Sequence, residues 1–166
     1  MRHYENTTGE GVTAEGLRIA VAASRYNRDV TDALLNGALS ALREAGAAEA
    51  DVTVVRVPGA FELPLALQAL LNTGMFDAAV ALGAVVRGGT PHFDFVAQGC
   101  MQGLMRVSLD SGIPIGFGVL TTDNQAQALE RSRPDEANKG REAALTAVEM
   151  ALCVRPVQPI AEGAEA

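Results

Sequence analysis

Four short apolar runs divide the chain: LRIAVAA (17–23), DVTVVRV (51–57), DAAVALGAVV (77–86) and IPIGFGVL (113–120). Their shortness and β-branched content read as strands, the first of them a buried one. Between them the apolar positions recur at helical spacing. Val30, Leu34, Ala38, Leu42 and Ala45 share one face of a helix that Gly46 stops. LPLALQALLNTG is a second helix, with Pro64 tolerated in its first turn. Val96, Cys100, Leu104 and Val107 mark the third, which Gly112 ends. A short helix, QAQALERS, follows TTDN; after the polar break RPDEA comes the last, NKGREAALTAVEMALCV.

Apolar strands alternating with amphipathic helices predict a parallel sheet covered on both faces, with right-handed crossovers. The expected fold class is α/β: a three-layer αβα sandwich on a four-stranded parallel sheet, with flavodoxin-like topology. Residues 1–166 read as one domain. Residues 1–15 form a mobile or extended arm, and 155–166 a mobile tail.

Composition narrows the class further. The chain is 48% hydrophobic, yet no run is apolar enough to span a bilayer, and the polar leader lacks a signal segment. Cys100 and Cys153 have no metal or redox spacing, so the expectation is a reduced, cytoplasmic protein without a metal site. A net charge of −7 argues against a nucleic-acid partner. An anionic ligand therefore needs locally placed cations; all but one of the thirteen basic residues are arginines, the exception being Lys139.

In an open parallel sheet, ligands bind beyond the carboxyl ends of the strands. Four loops lie there: SRYN, PGAFE, RGGTPH and TTDN. Gly88, Gly89 and Thr90 precede a helix start, where free N–H groups attract anions. The same segment also fits a plain glycine turn with a threonine cap. His92 reads either as a proton shuttle, since an imidazole exchanges protons near neutrality, or as an ordinary first-turn histidine. Tyr26 is either a stacking platform for a planar ring or a loop anchor. Glu62 either accepts hydrogen bonds from a ligand or simply suits the helix dipole. Arg131 and Lys139 flank the polar break; either suits a phosphate, although solvated surface charge is the commoner fate of such residues. No P-loop, dinucleotide fingerprint or nucleophile triad occurs.

Several segments fall in an order and spacing that carry a resemblance: VAASRYN, VPGAFELP, LGAVVRGGTPHFDFV, FGVLTTDN, QALERS and NKGREAA. Over roughly residues 12–153 the chain resembles 6,7-dimethyl-8-ribityllumazine synthases, of riboflavin biosynthesis. The resemblance implies condensation of 5-amino-6-ribitylamino-uracil with 3,4-dihydroxy-2-butanone 4-phosphate, with loss of phosphate and water and without a cofactor. It implies that His92 transfers protons, and that Gly89, Thr90 and Arg131 hold the phosphate. Tyr26 takes the stacking position, usually phenylalanine or tryptophan. Gly59, Ala60, Phe61 and Glu62 bind the ring and ribityl chain, Val85 and Val86 read the pyrimidine edge, and Phe117 lines the pocket from a neighbouring subunit. Lys139 supports the site. The implied assembly is a pentamer or a multiple of it, with sites between subunits and riboflavin synthase as an allowed partner. The loop SRPDEANKG departs from the Gly-Thr-Lys-type turn of shell-forming members. The alternatives are a flavin- or lumazine-binding module and a cage-forming homologue with little catalytic activity.

Overall fold

The computed structural model describes residues 12–155. Its four strands are β1 (Ile19–Ser24), β2 (Val52–Val57), β3 (Ala78–Val86) and β4 (Ile115–Thr122). They form one parallel sheet in the order β2-β1-β3-β4. Five helices cover it: α1 (Arg28–Glu44), α2 (Leu63–Leu71), α3 (His92–Ser111), α4 (Gln125–Arg131) and α5 (Lys139–Val154). The fold is a three-layer, flavodoxin-like α/β sandwich, as the strand–helix alternation predicts.

The layers follow from the two-residue period of a strand. On β1, Ile19, Val21 and Ala23 turn toward α1 and α5, where Val30, Leu34, Ala144 and Val148 meet them. Ala20 and Ala22 turn the other way, into a second core with Leu63, Leu67, Cys100 and Leu104 of α2 and α3. Every residue of β1 is buried, which is why its sequence runs apolar without alternation. Helix α5 packs so tightly on α1 that a Cβ built at Gly140 would lie 2.0 Å from the Leu34 carbonyl oxygen.

Several boundaries differ by one or two residues from the sequence expectation: β1 and β4, for example, start at Ile19 and Ile115. The second run opens with a 3-10 turn, Glu49–Asp51, before β2 starts at Val52. Strand β4 runs two residues further, through Thr121 and Thr122, because these pair with Val85 and Val86. The Arg87 N–H extends that ladder by donating to the Thr122 carbonyl at 2.8 Å. Residues 12–15, expected in the arm, are described: Ala14 is buried and its N–H donates to the Ala45 carbonyl at 2.8 Å. The rest of the arm, and the tail beyond Arg155, lie outside the described residues. Among the described residues, no helix is long and apolar enough to cross a membrane.

Candidate active site

The first three strands deliver their following loops to one end of the sheet. Tyr26 leaves β1 in a turn closed by Asn27, which adopts a left-handed conformation (φ 56°). Asparagine tolerates that conformation better than most residues. The Asn27 Nδ2 donates to the Ala84 carbonyl at 2.8 Å, tying this loop to β3. The Tyr26 N–H donates to the Pro58 carbonyl at 3.1 Å, tying it to the loop after β2.

That second loop is Pro58–Glu62. The Gly59 N–H donates to Glu62 Oε2 at 2.9 Å, so the carboxylate closes its own turn. A Cβ at Gly59 would lie 2.9 Å from Tyr26 Cδ2 and 3.0 Å from Glu62 Oε2, so only glycine lets the ring rest there. Tyr26 and Phe61 remain 68% and 60% exposed, well above what a loop anchor or core aromatic requires. Together Tyr26, Gly59, Ala60, Phe61, Glu62 and His92 line a cleft of about 340 Å³, which Phe95 and Val96 of α3 complete.

His92 opens α3 and is exposed. Among the described residues it has no hydrogen-bond or ion-pair partner, so its imidazole is not occupied by a structural duty. The helix N-cap is Pro91, without a side-chain cap, so the threonine-cap alternative does not hold for Thr90. Gly88, Gly89 and Thr90 are exposed, and their N–H groups donate to no other described residue. Unpaired amides next to a helix start are groups that attract anions. Gly89 and Thr90 do not themselves line the His92 cleft.

Phe117, Arg131 and Lys139 gather elsewhere. They line a second cleft of about 480 Å³ over the outer strand β4, with Glu142 and Thr146 of α5. The two clefts share no lining residue. Phe117 projects from β4 and is 48% exposed. Arg131 NH1 donates to the Gln127 carbonyl at 3.2 Å, and no carboxylate among the described residues pairs with it. Lys139 is paired with Glu142. Val85 is buried and Val86 half-buried at the end of β3, and neither lines either cleft.

Four residues beside these groups lie in segments that carry the family resemblance but take no role from it. Asn27 is one, readable only as a left-handed residue ahead of a helix. Arg87 is another: it forks onto Asp94 at 3.3 and 3.4 Å and lies 4.1 Å from the Phe93 ring centre. Phe95 is visible in sequence only as one more helical aromatic. Asn138, buried, caps α5 through Oδ1, which accepts from the Gly140 and Arg141 N–H groups. Among the described residues, no cluster of three or more His, Cys, Asp or Glu side chains is placed to hold a metal.

A profile of the 6,7-dimethyl-8-ribityllumazine synthase family matches residues 16–155. The chain belongs to that family. The match spans all four strands, all five helices and the loops that line both clefts. Lumazine synthases serve riboflavin biosynthesis as transferases, and the chain has that role. Residues 12–15, although packed on α1, fall outside the match.

Proposed function

We propose that the protein condenses 5-amino-6-ribitylamino-uracil with 3,4-dihydroxy-2-butanone 4-phosphate to form 6,7-dimethyl-8-ribityllumazine. The observation that carries this reading is the division of the site residues. One cleft holds Tyr26, Glu62 and His92, and a separate cleft holds Phe117, Arg131 and Lys139. Each is half of what the chemistry needs. A ring platform, hydroxyl acceptor and proton shuttle stand on one side, and a second aromatic with a phosphate-binding cation on the other.

The reaction balances as two substrates giving the lumazine, one phosphate and two waters. The 5-amino group attacks the ketone and water leaves. A proton then departs from carbon 3 as phosphate leaves carbon 4. The resulting ketone closes onto the ribitylamino nitrogen with loss of the second water. His92, with no structural partner, accepts and returns these protons. The Gly88–Thr90 amides and an Arg131 guanidinium hold the phosphate as it departs. Tyr26 stacks on the pyrimidine, and Glu62, through the oxygen not engaged by Gly59, accepts from the ribityl chain. Val85 and Val86 present backbone groups to the pyrimidine edge.

A complete site then requires the His92 cleft of one subunit to face the Arg131 cleft of another, in a pentamer or a multiple of it. Exposed apolar side chains support association: Phe95, Met101, Met105 and Leu109 on α3, and Leu65 on α2.

The test mixes both substrates with purified protein and follows lumazine absorbance and phosphate release. Product formation with one phosphate per lumazine is expected; no product at any pH would leave a binding module or an inactive cage protein. Mixing the impaired His92→Ala and Arg131→Ala proteins should restore some wild-type activity through sites that draw on both subunits. No recovery after verified subunit exchange would refute shared sites, as would an active monomer in sedimentation.

A further inference from the structure

Arg87 has no part in the chemistry proposed for the site, although it stands at the head of the Gly88–His92 loop. We propose that Arg87 is a positioning residue that holds the Gly88–His92 loop in its anion-binding shape. This inference rests on the synthase reading for its substrate, but not for its geometry.

The loop has almost no packing of its own. A Cβ at Gly88 or at Gly89 would meet nothing within 4 Å, and residues 87–92 are all exposed. What constrains it is attached at its two ends, and both attachments involve Arg87. At the start, the Arg87 N–H donates to the Thr122 carbonyl at 2.8 Å, pinning the backbone to the end of β4. At the far end, the guanidinium reaches past the loop to α3. There NH1 and NH2 donate to the two Asp94 oxygens at 3.4 and 3.3 Å, and the plane lies over Phe93. The Nε donates to Asp123 Oδ1 at 3.3 Å, adding the loop that leads into α4. One side chain thus spans the five loop residues and joins the ends of three elements.

The chemistry of the fork matters as well as its charge. Only a guanidinium offers a planar pair of donors to one carboxylate and a third to another while stacking on a ring. The carboxylates also bear on anion binding. Asp94 and Asp123 lie beside a loop meant for phosphate, and Arg87 neutralises them where they stand. Without it the loop loses its span and faces uncompensated negative charge.

The experiment uses the full-length protein and three variants: Arg87→Met, Arg87→Lys and Asp94→Asn. Inorganic phosphate binding is measured by calorimetry, and KM is measured separately for each substrate. Arg87→Met should weaken inorganic phosphate, and raise the KM of the phosphate substrate, by about 10-fold, the scale of a misplaced binding loop. The KM of the ribitylamino-uracil should stay within about twofold, since Tyr26 and Glu62 are held by other contacts. Arg87→Lys, which keeps the charge but not the fork, should recover only part of the affinity. Asp94→Asn breaks the fork from the other side and should weaken phosphate in the same direction, which keeps the test alive if Arg87→Met fails to fold.

Phosphate affinity within twofold of wild type in both Arg87→Met and Asp94→Asn would overturn the inference. So would equal rises in both KM values, or full rescue by lysine. Wild-type protein that binds phosphate, with that binding weakened in Arg87→Met, yet makes no lumazine would refute the synthase reading and leave the positioning role standing. Wild-type protein that binds no phosphate would sink both.

Discussion

Asn138 is 1% exposed and serves three segments at once, which makes its replacement a measurable test of how the Arg131 cleft is built. Its Oδ1 accepts from the N–H groups of Gly140 at 2.9 Å and Arg141 at 3.2 Å, capping α5. Its Nδ2 donates to the carbonyls of Ser132 and Arg133, each at 2.9 Å, and of Ala33 at 3.3 Å. The first two carbonyls belong to the turn after α4, which carries Arg131; the third belongs to α1. Asn138→Ala removes the cap, at about 1 kcal/mol. It also strips the two closer carbonyls of their donor, at about 1 kcal/mol each. The expected loss is about 3 kcal/mol. For a domain of this size that corresponds to a fall in Tm of about 6–12 °C. Scanning calorimetry at fixed protein concentration reads it, because any assembly makes Tm concentration-dependent. Asn138→Ser keeps a capping oxygen but no amide, so it should lose about 2 kcal/mol, isolating the share carried by the donors. A drop below 3 °C for the alanine variant would refute this account, as would serine behaving like wild type.

Other expectations follow from single contacts. Gly140→Ala should cost about 1–3 kcal/mol or abolish folding, since its methyl meets the Leu34 carbonyl oxygen; urea denaturation of the variant at wild-type stability would contradict this. Gly59→Ala should raise the KM of the ring substrate by displacing Tyr26 while leaving Tm within a few degrees, and an unchanged KM would remove Tyr26 from the platform. Burial pushes the Cys100 thiol up to about 12, so at pH 8 it should resist alkylation until the protein unfolds; rapid labelling of native Cys100, mapped by mass spectrometry, would contradict that. Hydrogen bonds from Arg141 and Ser40 hold the Glu44 carboxyl below its ordinary 4.5. A depressed carboxylate stabilises the fold above about its unfolded value and loses that contribution as pH falls through the folded one. The Tm difference between wild type and Glu44→Gln should therefore shrink below pH 4.5, and a constant difference down to pH 3 would count against the pairing.

The layered fold was legible because its signal is periodic and local. Val30, Leu34, Ala38 and Leu42 repeat at helical spacing and all four are buried against the sheet. Gly46 and Gly112 end their segments in left-handed conformations, as glycines at such stops do. Boundaries were less legible. Thr121 and Thr122 read as loop residues, and only their pairing with β3 makes them strand. A threonine before a proline reads as a cap, but the chain turns one residue later and leaves Thr90 exposed.

The sequence by itself determined the parallel sheet, the loops that follow its strands and the types of side chain those loops carry. Hydrophobic periodicity and loop chemistry are local properties of a chain. Only the tertiary structure decided which candidates meet. It put Tyr26, Glu62 and His92 in one cleft because β1, β2 and β3 are neighbours whose loops leave the sheet together. It put Phe117, Arg131 and Lys139 in another, because β4 is an outer strand and α5 crosses it from the opposite layer. Strand order and helix side depend on contacts between residues far apart in the chain, so no spacing along it records that division.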